Sequence, residues 1–226
     1  RALRSLGEFD EGRERAGAHI AVTAERFGTE LPDGSIDAGE SLEVAAAWRN
    51  LAMIEYDDGC FTPAAELLDE VLRIMLLHLD EDEQSVLDVM FDLANALIAI
   101  EDYEEGSNWH KRCYFLRRED LGFEHLDTIR SLKTLINHGI AEDEGDANDL
   151  WNVARKVLGP NHPEVVDILR LRARLLADEG QVEEAVALFQ QCMQQSDNPS
   201  GVGTLLKAAT DLARLVRRER SSEEAL

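Results

Sequence analysis

Two side chains with metal-binding chemistry, His110 and Cys113, lie three residues apart in a segment rich in helix-forming residues. On a helix this spacing places an imidazole and a thiol on one face, which would suit two ligands of a zinc ion. However, Phe189 and Cys192 repeat the same spacing further along the chain. Because phenylalanine cannot bind a metal, we interpret both pairs as buried packing residues and keep a metal pair as the alternative.

A second candidate for a metal site is the acidic segment 142–149, which reads EDEGDAND. It lacks the alternating ligands and the terminal glutamate of a calcium-binding loop, so we interpret it as a solvated turn. The sequence also contains no GxxxxGK[ST], HExxH or GxSxG motif. We therefore expect a protein that is not an enzyme and that needs no cofactor and no metal.

The composition restricts the partners that we expect. The chain has 226 residues, of which 44% are hydrophobic, and a net charge of −23. That much apolar material can form a core, whereas that much negative charge repels nucleic-acid phosphates and anionic lipids. We therefore expect neither nucleic acid nor a membrane as partner.

Three cysteines occur far apart and without any CxxC pair, which favours reduced thiols and a cytoplasmic location. The longest apolar stretch, 71–79, is too short to span a bilayer. The chain begins without a methionine, so the sequence is consistent with a fragment of a longer protein.

Two similar strings punctuate the second half of the chain: LGFEHLDT at 121–128 and LGPNHPEV at 158–165. Gly159 suits the left-handed position after a helix, and Pro163 suits the first turn of the next helix. Each string therefore predicts a joint between two helices. Recurring joints indicate a repeat array.

Small residues recur at intervals of seven and twelve in the segments between such joints. The full pattern occurs at Ala52–Gly59–Ala64 and at Ala173–Gly180–Ala185, and the twelve-residue interval recurs at Ala94–Gly106 and Ala213–Ala225. Such spacing predicts two antiparallel helices in close contact, because small residues permit the approach and glycine permits the turn.

This pattern resembles the tetratricopeptide repeat, which has a bulky residue and Leu-Ala or Leu-Gly on helix A, a turn, and an alanine early on helix B. Segments 48–68 and 172–189 carry it most clearly, and the joints are similar to those of the longer, kinesin-light-chain-like subclass. The resemblance implies an all-α, right-handed superhelical solenoid of antiparallel helix pairs. We expect one domain with the following parts: a partial first repeat at 1–27 with a turn within residues 1–12, a connecting loop at 28–40, repeats at 41–79, 84–120, 125–158 (degenerate) and 162–195, and a partial sixth repeat at 201–226. In the last of these, Ser221 and Glu224 form a capping-box signature that predicts a new helix start.

Acidic residues cluster where helix A should turn into helix B. The clusters are Asp57–Asp58, the group Glu101, Asp102, Glu104 and Glu105, the group Glu142, Asp143, Glu144 and Asp146 around Gly145, and Asp178–Glu179. They predict an acidic rim, although charged turns that only confer solubility are the interpretation that we favour.

The resemblance implies that helix A lines a concave groove, with the positions three and two before and one after its small residue facing inward. The candidate partner-binding residues in that groove are Arg49, Asn50, Met53, Asn95, Arg170, Arg174, Arg214 and Arg217. Asn50 corresponds to an asparagine that holds the backbone of a bound peptide in the family. The alternative for the arginines is that they form ion pairs inside the array.

The function that we expect is a scaffold or recognition module that binds a protein or peptide, with an acidic or carboxylate-bearing segment as the expected ligand for the arginines. One alternative is a sensor or regulatory segment of a larger signalling enzyme or ATP-driven switch, whose catalytic domain lies outside this chain. A third interpretation is self-association through exposed helical ends.

Overall fold

The computed structural model describes the backbone of residues 2–27, 29–30, 36–37, 41–140, 144–195 and 202–224, and side-chain environments within 9–26, 41–140, 147–194 and 206–217. These residues form ten helices and one short pair of strands. The chain divides into two compact units, Arg1–Asp120 and Leu121–Leu226. The sequence led us to expect one domain, whereas the structure divides into two compact units. In a stacked array each hairpin packs chiefly on its neighbours, so no single core has to unite the whole chain.

The first unit contains five helices: α1 (Ala2–Phe27), α2 (Leu42–Asp57), α3 (Phe61–His78), α4 (Gln84–Ala99) and α5 (Tyr103–Leu121). Between α1 and α2, β1 (Thr29–Glu30) pairs antiparallel with β2 (Ile36–Asp37) in the predicted loop. Helix α2 packs on α1 and α3, and α3 packs on α4. The core of this unit includes buried Leu68, Leu87 and Leu93.

The second unit contains α6 (Leu126–Asn137), α7 (Glu144–Leu158), α8 (Pro163–Asp178), α9 (Val182–Gln195) and α10 (Val202–Glu224). Successive helices pack on one another, and α10 also packs on α8. Its core includes Leu169, Leu176 and Phe189. Within the described ranges of both units, no helix is long and apolar enough to cross a bilayer.

Three predicted boundaries are wrong. Helix α1 continues from Ala2 to Phe27 without the turn expected in the first twelve residues, and α10 continues through 221–224, where a new helix was expected to start. In the degenerate repeat Gly145 lies inside α7, and the turn glycine is Gly139. Helix interiors tolerate a single glycine or a serine at a cost of only ~1 kcal/mol or less, so these residues stop a helix only where packing favours a turn.

The turn between helix A and helix B has the same backbone geometry in four repeats. Gly59, Gly139 and Gly180 adopt left-handed φ angles of 85°, 68° and 84°. The amide that follows each left-handed residue donates to the carbonyl five positions earlier, at 2.8–2.9 Å: Cys60 to Glu55, Asp102 to Leu97, Ile140 to Leu135 and Gln181 to Leu176. This bond defines a Schellman helix end. The interval of seven therefore marks a helix C-terminus.

One of these turns has no glycine. Glu101 lies seven positions after Ala94 and adopts a φ of 68°, the one positive value among the described residues other than glycine. An L-residue in this conformation costs about 1–2 kcal/mol because its Cβ approaches the following carbonyl oxygen.

We expect Glu101→Gly to stabilise the protein by about 0.5–1 kcal/mol, since the relieved strain exceeds the extra unfolded-state entropy of glycine. Urea denaturation measures the difference. The reciprocal variant, Gly59→Glu, should lose about 1 kcal/mol or more, because the Cβ position of Gly59 has no atom within 4 Å and only the backbone strain changes. Equal stability of all three proteins would contradict the argument.

The repeated histidine of the two joints caps the following helix. The Nδ1 atoms of His125 and His162 accept hydrogen bonds from the amides of Asp127 (3.3 Å) and Glu164 (3.2 Å). Gly122 and Gly159, three residues before each histidine, adopt left-handed angles of 81° and 86°. The repeated string is therefore a helix stop followed by a helix start, as the sequence predicts.

The interval of twelve marks the closest approach of two helices. A Cβ built on Gly106 of α5 would lie 2.9 Å from Cγ1 of Ile98 and 3.0 Å from the backbone oxygen of Ala94 in α4. Ala64 and Ala185 occupy the equivalent position in their hairpins and are fully buried. Glycine at this position brings α4 and α5 into near contact of their backbones.

Candidate functional site

The predicted groove residues of the first unit lie on α2 and α4. Nη2 of Arg49 donates to Oδ2 of Asp92 across these helices at 2.7 Å. Burial raises the pKa of Asp92 above its usual value, and the Arg49 hydrogen bond opposes this shift. Asn50 is exposed, whereas Met53 and Asn95 are half-buried. Arg49 is therefore held by an internal partner, and the amide of Asn50 is open to solvent.

The second unit repeats this ion pair in the same register. Arg170 is buried on α8, where Nη1 donates to Oδ2 of Asp211 on α10 at 2.8 Å and Nε lies 3.4 Å from Oδ1 of Asp167. In both units the arginine precedes the small alanine of one helix A by three residues, and the aspartate precedes that of the next helix A by two. The positions of Arg49 and Arg170 match the alternative in which groove arginines form internal ion pairs.

Two other predicted arginines, Arg174 and Arg214, line one cavity of about 240 Å³ in the second unit. Both side chains are exposed, and Nη1 of Arg174 also lies 3.4 Å from Oδ1 of Asn137. The remaining lining residues come from α8, α9 and α10: Ala177, Asp178, Phe189, Asp211 and Leu215. Because Arg170 already pairs with Asp211, the cavity presents two guanidinium groups, the exposed carboxylate of Asp178, and the almost fully buried apolar residues Phe189 and Leu215.

The last predicted arginine, Arg217, lies on the adjacent surface of α10. With Thr210, Ala213 and Arg214 it lines a shallow depression of about 460 Å³. Arg214 therefore borders both the cavity and this depression. Arg174, Arg214 and Arg217 thus line neighbouring surfaces, whereas Arg170 is held by its ion pair with Asp211, and a role of these residues in binding a partner stays a prediction.

The residues first considered as metal ligands are buried packing residues. The Cys113 thiol donates to the backbone oxygen of Leu87 at 3.3 Å, and the His110 ring packs edge-on against Phe91 with centroids 5.1 Å apart. Cys192 makes the matching contact to the Val166 oxygen at 3.7 Å. No group of three potential metal ligands occurs among the described residues.

We expect one of the three thiols to react rapidly with Ellman's reagent at pH 8. Burial raises the pKa of Cys192 to about 12, so its reactive thiolate is scarce at this pH, and Cys113 is fully buried. Cys60 is half-buried and is the expected site of reaction. All three thiols should react in denaturant, and a Cys60→Ser variant should remove the fast phase. A fast phase that persists in this variant would show that Cys113 or Cys192 is accessible to the reagent and not buried as described.

The structure also shows charged contacts that the sequence did not predict. Arg13 of α1 donates to both carboxylate oxygens of Glu55 on α2, at 2.9 and 3.1 Å, and bonds to Asp58. These hydrogen bonds raise the pKa of Arg13, that to Glu55 most. No spacing rule links residues 42 positions apart in sequence, so only the packing of α1 on α2 shows this pairing.

A tryptophan between two arginines was missed as well. The guanidinium groups of Arg155 and Arg172 each lie 5.0 Å from the ring centroid of half-buried Trp151. Cation–π contacts of this kind stabilise the packing of α7 on α8. The spacing of Trp151 and Arg155, one helical turn apart, was a signal for the first of the two contacts.

The predicted acidic turn clusters are only partly turns. Glu101 and Asp102 are exposed in the α4–α5 turn, Glu104 and Glu105 are exposed in the first turn of α5, and Asp178 and Glu179 are exposed at the end of α8. Glu144 and Asp146 instead lie in the first turn of α7, and the described part of the segment 142–149, which we interpreted from the sequence as a solvated turn, is helical. Glu142 and Asp143 lie outside the described residues.

Comparison with known proteins identifies the class of fold. No protein-family model and no curated protein matches the sequence. Solved structures do match over most of the chain, and they show that it has the all-α fold of tetratricopeptide-like solenoids.

Three of the matching structures illustrate the likeness, and each is distant in sequence. A single-residue variant of a Podosopora anserina protein assigned as a kinesin light chain, with nearly identical TPR-like repeats, has a TM-score of 0.70 and 22% identity over 87% of this chain and 90% of its own. BtubC (BKLC) from P. vanneervenii has a TM-score of 0.65 and 14% identity over 96% of this chain and 91% of its own. An assembly chaperone of RpL4 (Acl4) has a TM-score of 0.50 and 14% identity over 100% of this chain and 88% of its own.

Proposed function

We propose that this protein is a scaffold that binds a protein or peptide segment through its helix A surfaces. The fold supports this function, because stacked helical hairpins present extended surfaces rather than an enclosed reaction site. One structure of similar fold is named as an assembly chaperone of RpL4, a function that acts on another protein. The net charge of −23 favours protein over nucleic acid as partner, and three free cysteines favour a reducing compartment such as the cytoplasm.

The cavity that contains Arg174 and Arg214 carries the proposal. Two guanidinium groups from separate helices converge on one space, and each can donate two parallel hydrogen bonds to a carboxylate. Phe189 and Leu215 are almost fully buried and form the apolar base on which these two arginines lie. The ligand is therefore a peptide that presents an aspartate, a glutamate or a free C-terminal carboxylate.

The internal ion pair beside the cavity supports this assignment. Arg170 neutralises Asp211 from its buried side, so that Asp211 competes less for Arg174 and Arg214. Arg170 thus acts as a positioning residue. In the first unit, Asn50 presents its exposed amide to a peptide backbone, Met53 and Asn95 flank it, and Arg49 holds the surface together through Asp92.

A display selection tests the proposal without requiring an identified partner. Randomised peptides with free C-termini are selected against the protein at 0.15 M salt, and the enriched sequences are compared with those selected against Arg174→Gln/Arg214→Gln. We expect wild-type selection to enrich aspartate, glutamate or a required free C-terminus, and the variant to lose this preference. Enriched peptides without carboxylates, or no enrichment at all, would contradict the proposal.

A further inference from the structure

The first unit contains a second surface cavity, of about 290 Å³, far in sequence from the arginine-lined one. Its floor is apolar and is formed by Ala65 of α3, by Leu93 and Leu97 of α4, and by Ile100, which directly follows α4. The first three are buried, and Ile100 is 37% exposed. The apolar surface that a ligand can cover therefore lies chiefly on Ile100, because Ala65, Leu93 and Leu97 are almost fully covered already.

Three carboxylates surround this apolar floor: Glu66 and Asp69, one turn apart on α3, and Glu105 in the first turn of α5. All three are exposed. Within the part of the chain that the structure describes, none of them has an ion-pair partner. The cavity thus combines an apolar floor with a rim of negative charge on two helices.

The sequence around the cavity contains almost no compensating positive charge. Residues 50–110 include sixteen Asp and Glu residues and a single Lys or Arg, Arg73. That arginine is bonded to Glu70, at 2.6 and 2.7 Å. A potential of this sign, next to low-dielectric walls, attracts cationic groups.

We propose that this cavity binds a basic segment of a partner protein, in which a lysine or arginine lies close to a leucine-like residue. The aliphatic stem of the basic side chain and its apolar neighbour cover Ile100, the exposed member of the apolar floor. The cationic head reaches Glu66, Asp69 and Glu105 at the rim. Long basic side chains commonly bury their stems in this way while their charge stays near solvent.

Charge complementarity selects this occupant. An acidic or neutral apolar helix would leave the rim carboxylates uncompensated, and a second copy of this acidic chain would add to the repulsion. The site is independent of the arginine-lined cavity, because it lies in the other unit and recognises the opposite charge.

Three labelled peptides with blocked ends test the proposal by fluorescence anisotropy at 0.15 M salt: GSLRLKGS, its acidic counterpart GSLELEGS, and its non-apolar counterpart GSSRSKGS. All three peptides are measured against the Arg174→Gln/Arg214→Gln variant, in which GSLELEGS cannot bind the arginine-lined cavity through its glutamates, so the result is separate from that of the proposed function. We expect GSLRLKGS to bind about tenfold more tightly than either counterpart, because only this peptide satisfies both the floor and the rim.

Variants locate the binding. The triple substitution Glu66→Gln, Asp69→Asn and Glu105→Gln should raise the Kd of GSLRLKGS about tenfold, and Ile100→Ser should raise it severalfold. A control changes the net charge equally at the opposite end of α3, with Asp80→Asn, Asp82→Asn and Glu83→Gln, and should raise the Kd less than about twofold because such distant charges are screened. Equal effects of both triple variants, equal affinity for GSLRLKGS and GSSRSKGS, or no binding of GSLRLKGS would overturn the proposal.

Discussion

Reversal of both cavity arginines, Arg174→Glu with Arg214→Glu, is expected to weaken a carboxylate-bearing peptide ligand by about 100-fold or more. Each substitution removes a charge-assisted donor and adds a repulsive carboxylate beside the ligand, and truncation of one partner of such a pair alone costs about 2–5 kcal/mol. Both side chains are exposed, so the stability of the fold should change little. Isothermal titration with a peptide from the display selection measures the loss.

Two comparison variants separate this effect from general electrostatics. Lys156→Glu with Lys207→Glu makes the same change in net charge at exposed positions outside the cavity and should change the Kd less than about threefold. Arg174→Lys with Arg214→Lys keeps the charge but loses the planar guanidinium group, which can donate two parallel hydrogen bonds to one carboxylate. This variant should weaken binding about tenfold. If the double reversal leaves the Kd intact, the two arginines serve only the internal contacts of the array.

Gly106→Leu is expected to destabilise the first unit by about 3 kcal/mol, the upper end of the usual cost of overpacking. Even the first added carbon meets the backbone oxygen of Ala94 at 3.0 Å, and backbone cannot move aside as a flexible side chain can. The α4–α5 hairpin would have to open. Urea denaturation followed by circular dichroism should show a lower midpoint.

Gly17→Leu provides the matched control for this substitution. Gly17 is also helical and belongs to the same unit, but no atom lies within 4 Å of its Cβ position. Leucine has a higher helix propensity than glycine, so this variant should gain about 0.5–1 kcal/mol. Similar behaviour of the two variants would show that the close approach at Gly106 does not govern stability.

Much of the fold could be predicted because the signals are local. The intervals of seven and twelve, and the Leu-Gly…His joints, reflect helix ends and close contacts within one hairpin. The bounds of α3, α4, α8 and α9 follow from them within a few residues. The conformation of Gly12, by contrast, is not set by the local sequence. Gly12 is helical where α1 packs on α2, with Ile54 beside it and Arg13 bonded to Glu55. Only tertiary contacts distinguish this position from a turn.

The candidate site was predictable in position but not in role. The sequence treats Arg170 and Arg174 alike, since they lie one turn apart on the same helix. In the structure Arg170 is buried against Asp211 and Arg174 is exposed at the cavity. The difference depends on where α10 lies against α8, which is set by packing between segments that are one repeat apart in sequence. The acidic cavity of the first unit escaped prediction for the same reason, because its floor and rim come from three helices.

The bridging ion pairs have a consequence for how the chain folds during synthesis. Arg13–Glu55, Arg49–Asp92 and Arg170–Asp211 close loops of 42, 43 and 41 residues, about one repeat each. At about 5–20 residues per second, the second partner of each pair leaves the ribosome roughly 2–9 s after the first. Within each unit, a hairpin can therefore dock on its predecessor while later residues are still being translated, so that each unit assembles in steps of one repeat.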